Sequence, residues 1–181
     1  MADYLHRTEN LVEDVTAGLT SSPKQLPCKL FYDERGSRLF ERITMLDEYY
    51  PTRTEVAIME ECAGEMAALV GPRAMVIEYG SGSSSKTRIL LDHLETPSAY
   101  VPIDISRDHL LRSAAGIAAA YPRLDVLPVC ADYNETFRIP ESINPVSRRV
   151  VYFPGSTIGN FHPDEAIEFL KTIAGKLGSG G

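Results

Sequence analysis

A glycine and serine stretch is the part of this sequence that most clearly predicts chemistry. Residues 76–87 read VIEYGSGSSSKT, so an apolar run leads through Gly80 and Gly82 into a helical segment. Glycines at a turn from strand to helix let the backbone approach a ligand closely at the carboxyl edge of a sheet. We therefore expect this turn to lie against a ligand.

The glycine pattern alone does not identify the ligand at this turn. The dinucleotide fingerprint requires a third glycine where Ser85 stands, and the P-loop pattern requires a glycine at the same place, immediately before Lys86 and Thr87. Both patterns are therefore incomplete. A bare structural turn from strand to helix is a further interpretation.

Three carboxylates favour one ligand over the others. Glu78 precedes the loop, and Asp104 and Asp132 end the next two predicted strands. Ionised carboxylates only accept hydrogen bonds, so they suit hydroxyls, amines and positive charge better than a polyphosphate. Asp104 stands where an acidic residue binds the hydroxyls of a ribose. S-adenosylmethionine has a ribose, an amine, an ammonium and a sulfonium but no phosphate, and we favour it over a nicotinamide or flavin dinucleotide.

Alternating strands and helices must position these residues. The predicted strands are 74–77, 99–104, 125–130 and 149–153, and the predicted helices between and after them are 85–94, 109–121 and 163–177. Such alternation predicts a doubly wound α/β fold with a parallel sheet. Pro102 and Pro128 suit strand starts or edges.

The chain before Gly71 and Pro72 is predicted to be helical instead. Apolar residues recur at helical spacing from Leu11 to Leu19 and along 53–70, and Leu39, Phe40 and Ile43 form a short apolar face between them. We therefore divide the chain into a helical segment, 1–71, and a sheet domain, 72–181.

Composition excludes several classes of function. The 181 residues carry a formal charge of −7, which gives no general attraction to nucleic acid or to an anionic membrane surface. No apolar run approaches the roughly 18 residues of a membrane span, and the first residues do not resemble a secretory signal, so we expect a cytoplasmic protein. The three cysteines have no metal-ligand spacing; we expect reduced thiols and no metal site.

An ordered set of motifs gives the sequence a family resemblance. From about Leu26 to the last residue, it resembles the histidine Nα-methyltransferases of ergothioneine biosynthesis, and fungal enzymes that N-methylate a prenylated tryptophan share the motifs. The segments that carry the resemblance are FYD (31–33), GS (36–37), LF (39–40), EYYPTR (48–53), EYGSG (78–82), SKTR (85–88) and GSTIGNF (155–161).

The resemblance implies the first four strands of a Rossmann-like class I methyltransferase sheet. It also implies transfer of methyl groups from S-adenosylmethionine to the α-amine of an amino acid, with L-histidine converted to trimethylhistidine. A tryptophan derivative as substrate, or a non-catalytic module that only binds S-adenosylmethionine, are the alternatives.

The resemblance also assigns roles to individual residues. Those implied at the cofactor are Gly80, Gly82, Lys86, Asp104, Asp132 and Tyr133. Those implied at the amino acid are Tyr32, Phe40, Tyr49, Gly155 and Asn160, with Tyr32 and Asn160 nearest the reacting amine. Asn160 is supported independently, because its amide offers a donor and an acceptor in a loop after the fourth strand. No histidine is needed as a base, and His6, His93, His109 and His162 are interpreted as surface or capping residues.

The end of the sequence adds one expectation. The chain stops after the 163–177 helix, before the further strands and the substrate-binding insertion that the family fold implies. We therefore expect an incomplete portion of an enzyme, with little or no activity alone. The open edge of the fourth strand offers a surface for self-association.

Overall fold

Strands and helices alternate through the second part of the chain, as the sequence predicts. The computed structural model describes residues 1–4, 11–133, 135–178 and 181; His6 lies outside these residues. The helices are α1 Leu11–Thr20, α2 Glu34–Thr44, α3 Pro51–Val70, α4 Ser85–His93, α5 Arg107–Ala120 and α6 Pro163–Leu177, with 3-10 turns at Cys28–Phe31 and Thr157–Asn160. The strands are β1 Ala2–Asp3, β2 Ala74–Tyr79, β3 Ala99–Asp104, β4 Asp125–Val126, β5 Val129–Cys130 and β6 Arg148–Tyr152.

The strands form one parallel sheet with a reversal in its order. The order is β1-β5-β3-β2-β6, and β4 also pairs with β3. From β2 the chain moves outward to β3 and β5, then returns to the other side of β2 for β6. In open α/β sheets such a reversal leaves a crevice outside the carboxyl ends of the strands, where ligands bind. The predicted α/β class is confirmed, and its ligand crevice falls between β2 and β6.

Both faces of the central strand β2 are covered, which explains why all six of its residues are buried. Met75, Ile77 and Tyr79 pack on one face in a cluster that includes Phe169 and Ile173 of α6. The intervening side chains point to the other face, beneath α3, α4 and α5. This double burial is why the strand has a continuous apolar sequence rather than an alternating one.

The predicted third strand is interrupted in the structure. Residues 125–130 form two short strands, β4 and β5, separated by Leu127 and Pro128, and both keep the same register on β3. The register places Pro102 of β3 opposite Pro128. Because Pro102 has no N–H to donate, the ladder cannot continue across this point. The expectation that Pro102 marks a strand start or an edge is therefore wrong, since β3 lies between β2 and β5.

The outer strands of the sheet differ from the sequence prediction in one respect. Strand β1 was not predicted, because two residues are too few to show a pattern; Tyr4 N–H donates to Cys130 O at 2.8 Å beside it. Among the described residues β6 pairs only with β2, so it forms the other edge. Self-association through that edge stays a prediction.

None of the described helices is long and apolar enough to cross a membrane.

The packing of α6 predicts a stability difference between two matched substitutions. Ile173 is buried against the sheet, whereas Ile167 on the same helix is 50% exposed. We expect Ile173→Val to lower the free energy of unfolding by about 0.5–1.5 kcal/mol, because it removes one buried methylene. Ile167→Val should change it by less than about 0.5 kcal/mol. Urea unfolding of the two variants checks this, and equal effects would contradict the placement of α6.

Candidate active site

A large cleft lies at the carboxyl edge of the sheet, between the loops that follow β2 and β6. Its volume is about 1690 Å³. This exceeds the roughly 300–1,000 Å³ of a typical site for one small molecule, so a cofactor and a second molecule fit side by side. Every site residue that the sequence suggested lines it: Tyr32, Phe40, Tyr49, Gly80, Gly82, Lys86, Asp104, Asp132, Tyr133, Gly155 and Asn160.

The glycine loop after β2 is bound to the end of β3. The N–H groups of Gly80 and Ser81 donate to Ile103 O at 2.9 and 3.1 Å, and Gly82 N–H donates to Asp104 Oδ2 at 3.0 Å. Gly80 and Gly82 have φ angles of +69° and +49°, in the left-handed region that favours glycine. The two glycines thus allow the chain to turn back onto Asp104 before α4 begins.

Asp104 is the carboxylate best placed to bind a cofactor ribose. It accepts hydrogen bonds from Gly82 N–H and, at 2.8 Å, from Ser106 N–H. Burial raises the pKa of its carboxyl group, and the hydrogen bonds from Ser106 and Gly82 act in the opposite direction. Each carboxylate oxygen retains acceptor capacity beyond one backbone donor. A half-buried acceptor with spare capacity at the cleft fits the hydroxyl groups of a ribose.

Glu78 has a different role from Asp104, although both carboxylates end neighbouring strands. Its Oε2 accepts hydrogen bonds from Thr87 Oγ1, at 2.6 Å, and from the Tyr100 hydroxyl. Ser84 Oγ lies 2.9 Å from that hydroxyl and 2.8 Å from Ser113 Oγ. Burial raises the pKa of Glu78 to about 7, against the effect of the hydrogen bonds from Thr87 and Tyr100. This network fixes the start of α4 on the sheet.

Three aromatic rings from the N-terminal segment form one wall of the cleft. The Phe40 ring lies edge-on to Tyr32 and to Tyr49, with centroids 6.3 and 6.0 Å away. The Asn160 side chain, in the loop after β6, lies near the Tyr32 hydroxyl and acts to lower its pKa. The structure therefore brings Tyr32 and Asn160 together, although 128 residues of sequence separate them.

The Tyr32 hydroxyl is held in its neutral form. Burial raises its pKa, the charge of Cys28 acts in the same direction, and the nearby Asn160 side chain opposes them. A neutral phenol both donates and accepts a hydrogen bond. Tyr32 can therefore orient a polar group in the cleft but cannot serve as a phenolate base near neutral pH.

Asp132 and Tyr133 follow β5 and also line the cleft. Lys29 Nζ is 3.5 Å from Asp132 Oδ2 and 3.2 Å from Asp14 of α1. The Tyr133 ring packs against Tyr79 and against other aromatic rings between the sheet and α6. Tyr133 thus contributes to the core as well as to the cleft, a role that the sequence did not suggest.

Comparison with known families identifies the family of the chain. The profile of the family described as "Histidine-specific methyltransferase, SAM-dependent" matches residues 11–181, nearly the whole chain. The chain belongs to this family. Its cofactor is S-adenosylmethionine, which agrees with the acceptor groups around Asp104.

Curated relatives of this histidine-specific methyltransferase family cover most of the chain. A histidine N-alpha-methyltransferase from Mycolicibacterium smegmatis is 45% identical over 99% of the chain and 57% of its own length. Ergothioneine biosynthesis protein 1 from Neurospora crassa is 37% identical over 93% of the chain and 20% of its own length. A 4-dimethylallyltryptophan N-methyltransferase from Arthroderma benhamiae is 30% identical over 92% of the chain and 51% of its own length.

The chain matches only part of each of these relatives. The chain spans about half the length of the curated methyltransferases that it resembles, at 57% and 51% for two of them.

The family match also replaces the P-loop interpretation of the glycine loop. In the structure Lys86, which a P-loop would direct at phosphates, is paired with Glu55, with Nζ and Oε2 2.7 Å apart.

The sequence did not predict two of the contacts in the cleft. Glu55 of α3 was unassigned, because an acidic residue near the start of a helix is ordinarily explained by the helix dipole. His109 was interpreted as a surface or capping residue, and this is wrong. It is buried, and its Nε2 lies 2.8 Å from Oε1 of Glu41 on α2. Only the fold brings these two residues together.

The Glu78 network predicts a pH dependence of stability. The folded-state pKa of about 7 lies above the ordinary value of 4.5, so the folded protein binds a proton that the unfolded chain releases. The stabilisation from this group is therefore fully present below about pH 4.5 and is lost as pH rises through about 7. Glu78→Gln should remove this dependence.

Chemical denaturation of the protein and of Glu78→Gln between pH 5 and 8 measures it. The difference in free energy of unfolding should decline by up to about 1.4 kcal/mol per pH unit. The exposed Glu95→Gln is the matched control and should give a difference that does not vary with pH. A constant difference for Glu78→Gln would contradict a protonated Glu78 in the folded state.

Proposed function

We propose that this chain forms the cofactor site and one wall of the substrate site of an amino-acid α-N-methyltransferase that converts L-histidine to trimethylhistidine. One observation carries the proposal: the Asp104 carboxylate and the Tyr32–Asn160 pair line the same cleft. The first offers acceptors for a ribose, and the second offers mixed donors and acceptors for an α-carboxylate and an α-amine.

The two parts of the chain divide this work. Residues 1–71 supply Tyr32, Phe40 and Tyr49, and residues 72–181 supply the glycine loop and the strand-end carboxylates. We assign the first part to the substrate and the second mainly to the cofactor. The loop after β6 completes the substrate wall with Gly155 and Asn160.

Cofactor residues follow from the acceptor and donor groups of the cleft. Gly80 and Gly82 allow close backbone approach, Asp104 accepts hydrogen bonds from the ribose, and Asp132 with Tyr133 lies where the adenine would bind. Lys86, at the start of α4, offers an ammonium to a carboxylate. When bound, S-adenosylmethionine supplies a methyl group already activated by its sulfonium.

The residues of the chain have mainly a positioning task in this reaction. A neutral α-amine must be held in line with the methyl group, and water must be excluded. The Asn160 amide can donate to the substrate carboxylate and accept from its amine, and the neutral Tyr32 hydroxyl can orient the amine. Tyr49 assists at the carboxylate, and Phe40 shields the pocket from water.

A tryptophan derivative is the second candidate substrate. The similarity to a 4-dimethylallyltryptophan N-methyltransferase, at 30% identity, supports it. Histidine remains the first candidate, because the relatives named for histidine methylation are more similar, at 45% and 41% identity.

Asp104→Asn tests the cofactor site. The substitution removes the charge that strengthens hydrogen bonds from the ribose hydroxyls, each worth about 1.5–3 kcal/mol. Calorimetric titration with S-adenosylhomocysteine should show at least about tenfold weaker binding. Asp108→Asn, an exposed position on α5, is the control and should bind like the unmodified protein. Equal affinities of the two variants would place the cofactor elsewhere.

Asn160→Asp tests the amino-acid wall. In the chain saturated with S-adenosylhomocysteine, titration should show binding of histidine. The substitution places a negative charge near the substrate carboxylate, so histidine affinity should fall about tenfold or more, while cofactor affinity changes little. Preference for tryptophan would support the second candidate. Binding of neither amino acid to the loaded chain would contradict the substrate assignment.

A further inference from the structure

Glu55 connects the two halves of the cleft through a single carboxylate. Its Oε2 lies 2.7 Å from Lys86 Nζ at the start of α4, and its Oε1 accepts a hydrogen bond of 2.7 Å from Gly155 N–H in the loop after β6. Three separate elements therefore meet at one side chain of α3. We call this arrangement the Glu55 bridge.

The bridge is closely packed. Gly155 has a φ angle of +84°, and a Cβ atom at this position would lie only 3.1 Å from Lys86 Nζ. The loop after β6 thus rests directly against the ammonium group. The side chains of Lys86 and Glu55 are 20% and 28% exposed, so water screens this pair less than an exposed surface pair.

We propose that Glu55 is a positioning residue that couples cofactor binding to the arrangement of the substrate loop after β6. The proposal rests on the proposed function. Lys86 carries three N–H donors, and a carboxylate of the bound cofactor would compete with Glu55 for them. The hydrogen bond from the Gly155 amide to Glu55 would then change, five residues before Asn160.

This coupling acts in both directions. If cofactor binding changes the affinity for the amino acid through Glu55 and the loop, then amino-acid binding must change the affinity for the cofactor by the same factor. Removal of the Glu55 charge should abolish the effect while both binding surfaces remain. A residue that only stabilised the fold would change all contacts of the cleft alike.

One resonance reports on the bridge selectively. Pro154–Gly155 is the only Pro-Gly pair in the sequence, so labelling proline at its carbonyl carbon and glycine at its nitrogen gives a single amide correlation, that of Gly155. A charged acceptor makes this hydrogen bond strong. The Gly155 amide proton should therefore move upfield in Glu55→Gln, and stay in place in the control Glu61→Gln, an exposed position of the same helix.

A double-substitution cycle tests the coupling without any ligand. Lys86→Met should move the Gly155 resonance in the otherwise unmodified protein and much less in the Glu55→Gln background. A shift of equal size in both backgrounds would mean that Lys86 acts on Gly155 directly, and would overturn the proposal. Thermal unfolding of each variant establishes that it is folded.

Titration with S-adenosylhomocysteine then tests the coupling to the cofactor. The Gly155 resonance should shift on titration of the unmodified protein and stay fixed in Glu55→Gln at saturating ligand. A response retained in Glu55→Gln would overturn the inference alone. Absence of cofactor binding to the unmodified protein, measured by calorimetry, would contradict the proposed function, while the ligand-free cycle still decides whether Glu55 links Lys86 to Gly155.

Discussion

The hydrogen bond between the Gly82 amide and the Asp104 carboxylate is the contact on which the cleft depends. It joins the loop after β2 to the end of β3 across 22 residues of sequence. It also directs the carboxylate, since the second oxygen is held by Ser106. Glu78, one strand away, is instead enclosed by the hydroxyl groups of Thr87 and Tyr100. Two carboxylates at neighbouring strand ends thus differ in their surroundings, because Asp104 is held by backbone amides and Glu78 is buried among hydroxyl groups beneath α4.

Helices α1 and α2 are attached to this frame largely by polar contacts, whereas α3 packs on the sheet through Met59 and Ala67. Helices α1 and α2 contain no buried residues, so apolar burial contributes little to their position. Polar side-chain pairs also connect residues 1–71 to the rest of the chain: Lys29 with Asp132, Glu41 with His109 and Glu55 with Lys86. Such pairs are modest individually. A ligand between the two walls would contact both and add to their attachment.

The sequence predicted the frame better than the contacts across it. Strand β2 was recognisable because a strand buried on both faces is continuously apolar, and α6 because Pro163 begins it and Gly178 ends it. The strand-end carboxylates could be found because parallel strands present their carboxyl ends at one edge. Strand β1 escaped because two residues carry no periodicity. The interruption at Leu127 and Pro128 depends on Pro102 of a neighbouring strand, and pairing between strands is not encoded locally.

The roles of Glu55 and His109 escaped for a related reason. Each contacts a partner at least 31 residues away in sequence, and each has an ordinary local explanation as a helix residue. Motifs reveal which residues face a ligand, because a ligand imposes fixed residue types at fixed places. The residues that position those motifs make their contacts with one another, so no ligand fixes their types or places in the sequence.

A crystal structure of the chain with S-adenosylhomocysteine would test the central claim most directly. If the cleft at the strand-order reversal is the cofactor site, the ribose hydroxyls will lie within hydrogen-bond distance of Asp104 and the adenine beside Asp132. The methionine end will lie along Gly80 and Gly82, towards Lys86. A ligand bound away from Asp104 and the glycine loop would contradict the assignment of this cleft.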